Sequence, residues 1–421
     1  MTTPHQVVTE GAASAVTAAT VLKAMQTLAV ALVLVLVAAI LHVGAAPYIG
    51  FAFAGTLVIH LASRPTRREI AALIGAGAIF AAAYFLSGGQ TLNYYGRELG
   101  IPGGFLGMGS FLVLAARWVW AGPAERRVRW EQLSEAGLIP ALCIGSMVAV
   151  DIAAELTPRT YDRLLMGADV KFGGPPSWVI GRVFRAHTWL LRTCGWVYCS
   201  LPLALAASLL VQGRERRAGC QHAVDLRWLS LALGVAGFAL YQICPAAGPV
   251  YLYAKEFPLD APNLSGLAMI AAPLAAVPRN AMPSLHVGWT LLLFWNTRGR
   301  RLWIRALMLV YLMLTALATL GSGEHYLVDL IVAPALALAV QALCTQTTSR
   351  TRWVGLGIGS AIVFLWLFAL RSGAALSIPA GAAMWTLAAC SIIIPVVSKN
   401  AIEIKAEGQQ LRAAVKRRLA G

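Results

Sequence analysis

The stretch Ala276–Arg300, AVPRNAMPSLHVGWTLLLFWNTRGR, decides how the rest of the chain is interpreted. It contains an apolar run that begins with Pro-Ser-Leu-His and ends in arginines. Proline and serine are typical of a helix N-terminus, so the pattern predicts a helix with His286 in its first turn. Arginines at the far end are typical of the cytoplasmic end of a membrane span. The stretch therefore predicts a membrane span with a chemically reactive residue at its N-terminal end.

The composition is that of a membrane protein. Of the 421 residues, 58% are hydrophobic and only 12% are charged, whereas about 25% are charged in an average soluble domain. The mean hydropathy is +0.69. Uncharged blocks such as 27–41 and 306–320 approach the length of roughly 20 residues that crosses a bilayer core. We therefore predict an all-α fold, a polytopic transmembrane helical bundle.

The net charge of +16 does not indicate a nucleic-acid partner. The basic residues form short clusters between apolar blocks, whereas a nucleic-acid-binding protein concentrates them on one folded face. The seven cysteines lie mostly inside apolar blocks and predict small packed side chains. They have no spacing typical of a metal site, so no metal or other cofactor is predicted.

The apolar blocks predict about 12 spans, with membrane lipids as their surroundings. Their approximate ranges are 24–43, 46–63, 70–87, 102–121, 136–153, 187–211, 228–246, 284–297, 306–322, 325–344, 353–371 and 376–396. The basic clusters fall in alternate connections, which predicts that both termini are cytoplasmic. On the same threading, His286 and the segment 321–325 lie at the outer face of a plasma or inner membrane.

One polar segment, 154–186, does not fit the alternation of spans and loops. It holds five basic residues on the predicted outer side, and Gly-Gly-Pro-Pro interrupts its helical spacing. We expect an amphipathic segment in the outer interface. Two roles remain open for it, a structural lid and a basic collar around an anionic substrate.

Two histidines and an aspartate are the candidates for catalysis. His325 and Asp329 are four residues apart in GSGEHYLVDL, a spacing that places both side chains on one helix face. The carboxylate would orient one imidazole nitrogen and leave the other as a nucleophile. His286, predicted at the same depth, could protonate a leaving oxygen. The alternative is that these histidines only pack at the interface.

Two of these motifs resemble a known family. AMPSLHVGW is similar to the second signature of the type-2 phosphatidic acid phosphatase superfamily, whose usual form is Pro-Ser-Gly-His, and GSGEHYLVDL is similar to the third. Three features resemble the inositolphosphotransferase branch, which includes the fungal inositol phosphorylceramide synthases. They are Leu285, the sequence HYLVD and the upstream sequence YQICPAAGP. The resemblance covers about Thr157–Leu343. It implies a helical catalytic core of that type.

The resemblance also implies a mechanism. His325 would attack phosphorus and form a phosphohistidine, and Asp329 would orient it. His286 would give a proton to the departing alcohol and take one from the acceptor. The substrate would be a lipid or polyprenyl phosphate ester, the acceptor water or an alcohol such as inositol, and no metal would take part.

The usual cationic residues of the superfamily are missing at their expected places. Ala318-Thr319 replaces the Ser-Arg of the third signature, and the segment 233–253 has no lysine or arginine. Because the charge of a phosphate must be neutralised where it develops, other groups should bind it. The predicted phosphate-binding residues are Arg279, Ser284, Arg192, Lys255 and Gly323. For the charged ones, the alternative is contact with lipid phosphates only.

These predictions divide the chain into five regions. They are 1–153, membrane spans of unknown role; 154–186, the outer interfacial segment; 187–345, the phosphatase-like catalytic core; 346–398, the C-terminal spans; and 399–421, a basic cytoplasmic tail. Two other functions remain open. One is a secondary transporter with a His/Asp proton relay, although the two halves of the chain show no internal repeat. The other is a catalytically inactive family member.

Overall fold

The computed structural model describes residues 47–88, 95–220, 222–274, 277–346 and 349–420, with side chains described from residue 48 to residue 405. Within these ranges the chain forms fifteen α-helices and a two-stranded sheet. The predicted span at 24–43 lies outside the described residues.

The helices and strands follow one another in this order: α1 (Pro47–Ala62), α2 (Arg67–Leu86), α3 (Arg97–Val119), α4 (Pro123–Leu156), β1 (Arg159–Thr160), α5 (Asp162–Val170), α6 (Pro176–Ala186), α7 (Thr188–Cys199), α8 (Leu201–Arg217), α9 (Leu226–Ile243), α10 (Pro249–Leu252), β2 (Ala272–Pro273), α11 (Leu285–Trp295), α12 (Leu302–Gly321), α13 (Leu327–Cys344), α14 (Arg350–Ser372) and α15 (Ala382–Ala420). A short 3₁₀ helix, Ala374–Ser377, connects α14 to α15.

The helices confirm a polytopic membrane bundle. Among the described residues, eight are long and apolar enough to cross a bilayer, namely α2, α3, α4, α9, α12, α13, α14 and the first part of α15. Helices α7 and α8 meet at 47° and form one broken span if they are counted together. Helices α1 and α11 are apolar but shorter. The predicted number of spans is therefore not confirmed.

Ion pairs connect the helices at one end of the bundle. Arg300, in the connection after α11, pairs with Glu215 near the end of α8. Arg298 in the same connection lies 3.2 Å from Glu403 of α15. These pairs place the ends of α8 and α11 beside α15. Since α11 begins with the segment around His286, that histidine lies at the opposite end.

The first residues of α11 and α13 lie at the opposite end of the bundle, together with the small elements between α4 and α7. Strands β1 and β2 pair there in antiparallel register, with Arg159 opposite Pro273. Helix α5 ends at Val170 and α6 begins at Pro176, so the Gly-Gly-Pro-Pro sequence interrupts the helix as predicted. Helix α13 is buried along nearly its whole length. It is thus the central helix on which this end is built.

Candidate active site

His325 lies in the short connection between α12 and α13 and is 2% exposed. Its Nδ1 atom lies 2.8 Å from the carbonyl oxygen of Ala281 and 3.4 Å from Oδ2 of Asp329. Its Nε2 atom lies 3.5 Å from the hydroxyl oxygen of Ser284. The imidazole therefore bridges the start of α13 and the loop that precedes α11.

These contacts determine the tautomer of His325. Both neighbours of Nδ1 are hydrogen-bond acceptors, so Nδ1 carries the proton and donates it to the Ala281 carbonyl, the nearer of the two. Burial lowers the pKa of His325 to about 4, so the ring is neutral at pH 7. The lone pair of Nε2 is therefore available on the side of Ser284. Asp329 supports this arrangement from a greater distance than the sequence spacing suggested.

Asp329 lies in the first turn of α13 and is fully buried. Its Oδ2 accepts a 2.7 Å hydrogen bond from the amide of Tyr326, while Oδ1 has no hydrogen-bond partner among the described residues. The main-chain carbonyl of Asp329 accepts a 3.2 Å bond from the amide of Ser284. Asp329 thus connects the first turn of α13 with the start of α11.

His286 lies in the first turn of α11, at the same end of the bundle as His325. Its ring stacks on Tyr198 with ring centroids 4.0 Å apart, and it also contacts Tyr48 at 5.2 Å. The hydroxyl of Tyr198 donates a 2.5 Å hydrogen bond to Glu324, the residue before His325. Tyr198 thus links the ring of His286 to the residue that precedes His325. The structure thus brings together the three residues that the sequence predicted for catalysis.

Arg279, which the sequence predicted to bind phosphate, lies among main-chain carbonyl groups. It is 1% exposed, and its guanidinium donates to the carbonyl oxygens of Thr157 at 3.3 Å, Val277 at 3.0 Å and Leu274 at 3.0 Å. These bonds join the loop before α11 to the end of α4. Arg279 therefore stabilises the loop that carries Ala281, because most of its donors are used by the main chain.

The other predicted phosphate-binding residues have different surroundings. Arg192 on α7 and Lys255 after α10 are exposed. Gly323 has a φ of +75°, and a side chain at this position would collide with Phe257. Its carbonyl accepts a 2.8 Å hydrogen bond from the amide of Val250. Of the predicted set, Ser284 is therefore the residue that contacts His325.

A comparison with protein families gives one similarity for this region. Residues 163–343 match the family model of the PAP2 superfamily. This part of the chain is similar to that superfamily. Members of the superfamily are typically phosphatases or phosphotransferases, and their substrates are lipid phosphate esters. Comparisons with curated proteins and with solved structures gave no match.

A buried carboxylate that the sequence did not predict lies directly before the matched segment. Asp162, the first residue of α5, accepts hydrogen bonds from the amides of Ala247 at 3.1 Å and Gly248 at 2.8 Å. It also accepts a 3.0 Å bond from the hydroxyl of Tyr326, the neighbour of His325. Burial raises the pKa of Asp162, and these donors act against that rise. Asp162 thus connects the Pro-Ala-Ala-Gly-Pro loop to the candidate nucleophile.

A second missed carboxylate, Asp169, caps α13. Its Oδ2 accepts a 2.8 Å bond from the amide of Leu327, and its Oδ1 accepts a 3.1 Å bond from the amide of Val328. Burial raises the pKa of Asp169, and the two amide donors act against that rise. Asp162 and Asp169 are seven residues apart, which is two helical turns. This spacing on α5 was the available signal for a shared face.

The Pro-Ala-Ala-Gly-Pro loop requires a glycine at position 248. Its φ is +104°, and an added Cβ would lie 2.3 Å from the carbonyl oxygen of Glu324. Both the conformation and the space exclude a side chain. The loop therefore packs its main chain directly against the main chain of the residue before His325.

We expect Asp169→Asn to lower both turnover and thermal stability. The amide group would turn a donor toward one of the two α13 amides, which costs about 2 kcal/mol of unfolding free energy. The start of α13 would shift and with it the connection that holds His325. Phosphate-release assays and thermal unfolding in detergent measure the two effects. Asp151→Asn, at an exposed aspartate of α4, is the matched control and should leave both unchanged. Equal behaviour of the two variants would contradict the role assigned to Asp169.

Proposed function

We propose that this protein is an integral membrane phosphotransferase or phosphatase that acts on a lipid-linked phosphate ester through a phosphohistidine at His325. The observation that carries the proposal is the tautomer of His325. Its proton is committed at Nδ1 to the Ala281 carbonyl, and its Nε2 faces Ser284 with a free lone pair. A neutral, oriented imidazole is the form that can attack phosphorus. The match of this region to the PAP2 superfamily supports the same chemistry.

In the first half-reaction, the Nε2 lone pair of His325 forms the bond to phosphorus, and the bond from phosphorus to the alcohol oxygen breaks. His286 gives its proton to that oxygen, so the alcohol leaves neutral. The positive charge that develops on the His325 ring is stabilised by the Ala281 carbonyl and the carboxylate of Asp329, which lie 2.8 Å and 3.4 Å from Nδ1.

In the second half-reaction, an acceptor oxygen attacks the phosphohistidine. His286 takes the proton of the acceptor, and the bond from Nε2 to phosphorus breaks. Water as the acceptor makes the enzyme a phosphatase, whereas a hydroxyl makes it a phosphotransferase. The resemblance of YQICPAAGP and HYLVD to the inositolphosphotransferase branch favours an alcohol such as inositol.

The start of α11 is the best candidate for binding the phosphate. Two helices begin at this site, and the positive end of a helix dipole attracts anions. At α13 that end is occupied by carboxylates, since Asp169 and Asp329 accept from its first amides. The first turn of α11 contains no acidic residue, and no side chain caps it. A substrate phosphate near Ser284 would meet these amides and the Ser284 hydroxyl.

We further propose that the site faces the outside of the cell and that the termini are cytoplasmic. The arginines that gather around Glu215 and Glu403 lie at the end of the bundle opposite His325. A basic end is typical of the cytoplasmic side. Lipid esters in the outer leaflet or polyprenyl phosphates would then reach the site directly.

The proposal is tested by product analysis in proteoliposomes of the full chain. Phosphatidic acid and a polyprenyl phosphate serve as donors, each with and without myo-inositol as acceptor. We expect inorganic phosphate without inositol and inositol phosphate when inositol is present. Release of inorganic phosphate alone under both conditions would identify a phosphatase and remove the transferase proposal. Absence of every phosphorylated product and of phosphate, with donors presented on both faces, would contradict the enzymatic function itself.

A further inference from the structure

An apolar groove lies between α9, α13 and α14, away from the proposed catalytic residues. Its volume is about 820 Å³, within the range of roughly 300–1,000 Å³ that is common for small-molecule sites. The walls are aliphatic and aromatic, and examples are Leu240, Leu336, Val363 and Phe364. Helix α14 follows the segment that matches the PAP2 superfamily, so the groove combines that segment with an additional helix.

The groove is long in the direction of the membrane normal. On α14 its lining extends from Leu356 to Ser372, which is about 24 Å at a rise of 1.5 Å per residue. The hydrocarbon core of a bilayer is about 30 Å thick. The groove therefore follows most of the apolar depth of the membrane, and a hydrocarbon chain can lie along it.

A cation is held at one end of this groove. The guanidinium of Arg371 donates a 2.6 Å hydrogen bond to the carbonyl of Ile243, the last residue of α9, and lies 5.2 Å from the ring of Tyr161. Arg371 is nevertheless exposed, and a guanidinium has five N–H donors. Ser372 beside it is also exposed. The groove thus has a positively charged, hydrogen-bonding mouth above an apolar interior.

This mouth lies at the same end of the bundle as His325. Helices α13 and α14 are joined by a short connection after Cys344, so the end of α14 lies beside the start of α13. An exposed arginine at the end of a membrane helix lies at the depth of the lipid headgroups. A phospholipid has a matching arrangement, because its charged phosphate lies at this depth and its apolar chains lie deeper in the membrane.

We propose that this groove binds an anionic glycerophospholipid, with its phosphate on Arg371 and an acyl chain between α9, α13 and α14. The charge of Arg371 selects the anionic headgroup, and the aliphatic walls hold the chain. This binding site does not depend on the catalytic function proposed for His325. It assigns a role to α14, for which the sequence predicted none.

The bound lipid would also contact the framework of the active site. The amide of Tyr161 donates a 2.8 Å hydrogen bond to the carbonyl of Pro245, and the amide of Ala281 donates a 2.9 Å bond to Ala246. Ala281 in turn accepts the Nδ1 proton of His325. Two main-chain hydrogen bonds therefore separate the mouth of the groove from the residue that orients the nucleophile.

The proposal is tested by counting retained lipids. The full chain is reconstituted in phosphatidylcholine vesicles that contain a minor fraction of phosphatidylglycerol, extracted in mild detergent and analysed by native mass spectrometry. We expect the wild type to retain phosphatidylglycerol in preference to phosphatidylcholine. Arg371→Ala should weaken this retention by about tenfold or more, because a charge-assisted contact with the phosphate is lost.

A second variant tests the apolar part independently. Ala239→Trp fills the groove from an exposed position of α9, whereas Val235→Trp, one turn away on the same helix, lies outside the lining and is the matched control. Arg185→Ala, at an exposed arginine of α6, is the control for charge. Loss of phosphatidylglycerol in Arg371→Ala and Ala239→Trp, with retention in both controls, would support the proposal. Equal retention of both lipids by the wild type, or wild-type retention by Arg371→Ala, would overturn it.

Discussion

Replacement of His325 by alanine is expected to lower turnover by roughly 10⁶-fold, the scale observed when an enzyme loses its nucleophile. The variant should also form no phosphoenzyme. With wild-type protein and a ³²P-labelled donor, rapid quenching in alkali should trap a phosphoprotein that is stable to base and labile to acid, as expected of a phosphohistidine. The reason is that Nε2 of His325 is the nitrogen that faces Ser284, and no other group would form the bond to phosphorus.

His187→Ala is the matched control for this experiment. His187 is an exposed histidine at the start of α7, so its removal should leave both turnover and the labelled phosphoprotein at the wild-type level. A His325→Ala variant that is inserted correctly and still becomes labelled would show that another residue is the nucleophile. Turnover near the wild-type rate would exclude the mechanism.

His286→Ala should produce a loss that depends on the leaving group. For an alkyl or lipid ester, the departing oxygen needs a proton, and removal of a general acid costs roughly 10²–10⁴-fold in rate. For p-nitrophenyl phosphate, the phenolate leaves without a proton, so the same variant should hydrolyse it at a rate much closer to that of the wild type. The ratio of the two rates, measured for both proteins under single-turnover conditions, isolates the proton transfer.

Tyr198→Phe is the control for the surroundings of His286. It keeps the ring that stacks on His286 and removes the hydroxyl that donates to Glu324. If stacking alone positions His286, this variant should show the wild-type ratio for the two substrates. An equal loss of both substrates in His286→Ala would mean that the histidine binds or packs and does not act as the acid.

The helices were predictable because their signal is local. Apolar blocks gave the positions of the spans, but the ends differ where composition alone misleads. Helix α4 begins at Pro123, well before the predicted start at 136, because its charged first turns continue the helix without adding apolar residues. The predicted span 187–211 is broken between Cys199 and Leu201, where Pro202 lies in the first turn of α8. Hydropathy averages over such a break.

The candidate site was predictable only in part. The spacing of His325 and Asp329 within one helical turn gave their proximity, which the 3.4 Å contact bears out. The closer partner of His325 is a main-chain carbonyl at Ala281, and a carbonyl has no signature in a sequence. Arg279 illustrates the converse, since its residue type suggested phosphate binding while its partners are backbone oxygens. Partners contributed by distant parts of the chain depend on tertiary packing.

The acidic helix α5 sets the order in which this protein can mature during biosynthesis. Asp162 and Asp169 leave the ribosome long before their partners at Tyr326, Leu327 and Val328, which follow them by 164, 158 and 159 residues. Until those residues have been translated and inserted, Asp169 has no amides of α13 to bind and Asp162 lacks the hydroxyl of Tyr326. A carboxylate without its partners is better hydrated than buried. A nascent chain released before Tyr326 would therefore leave α5 undocked, and chaperones or proteases of the membrane would meet it as an unfinished protein.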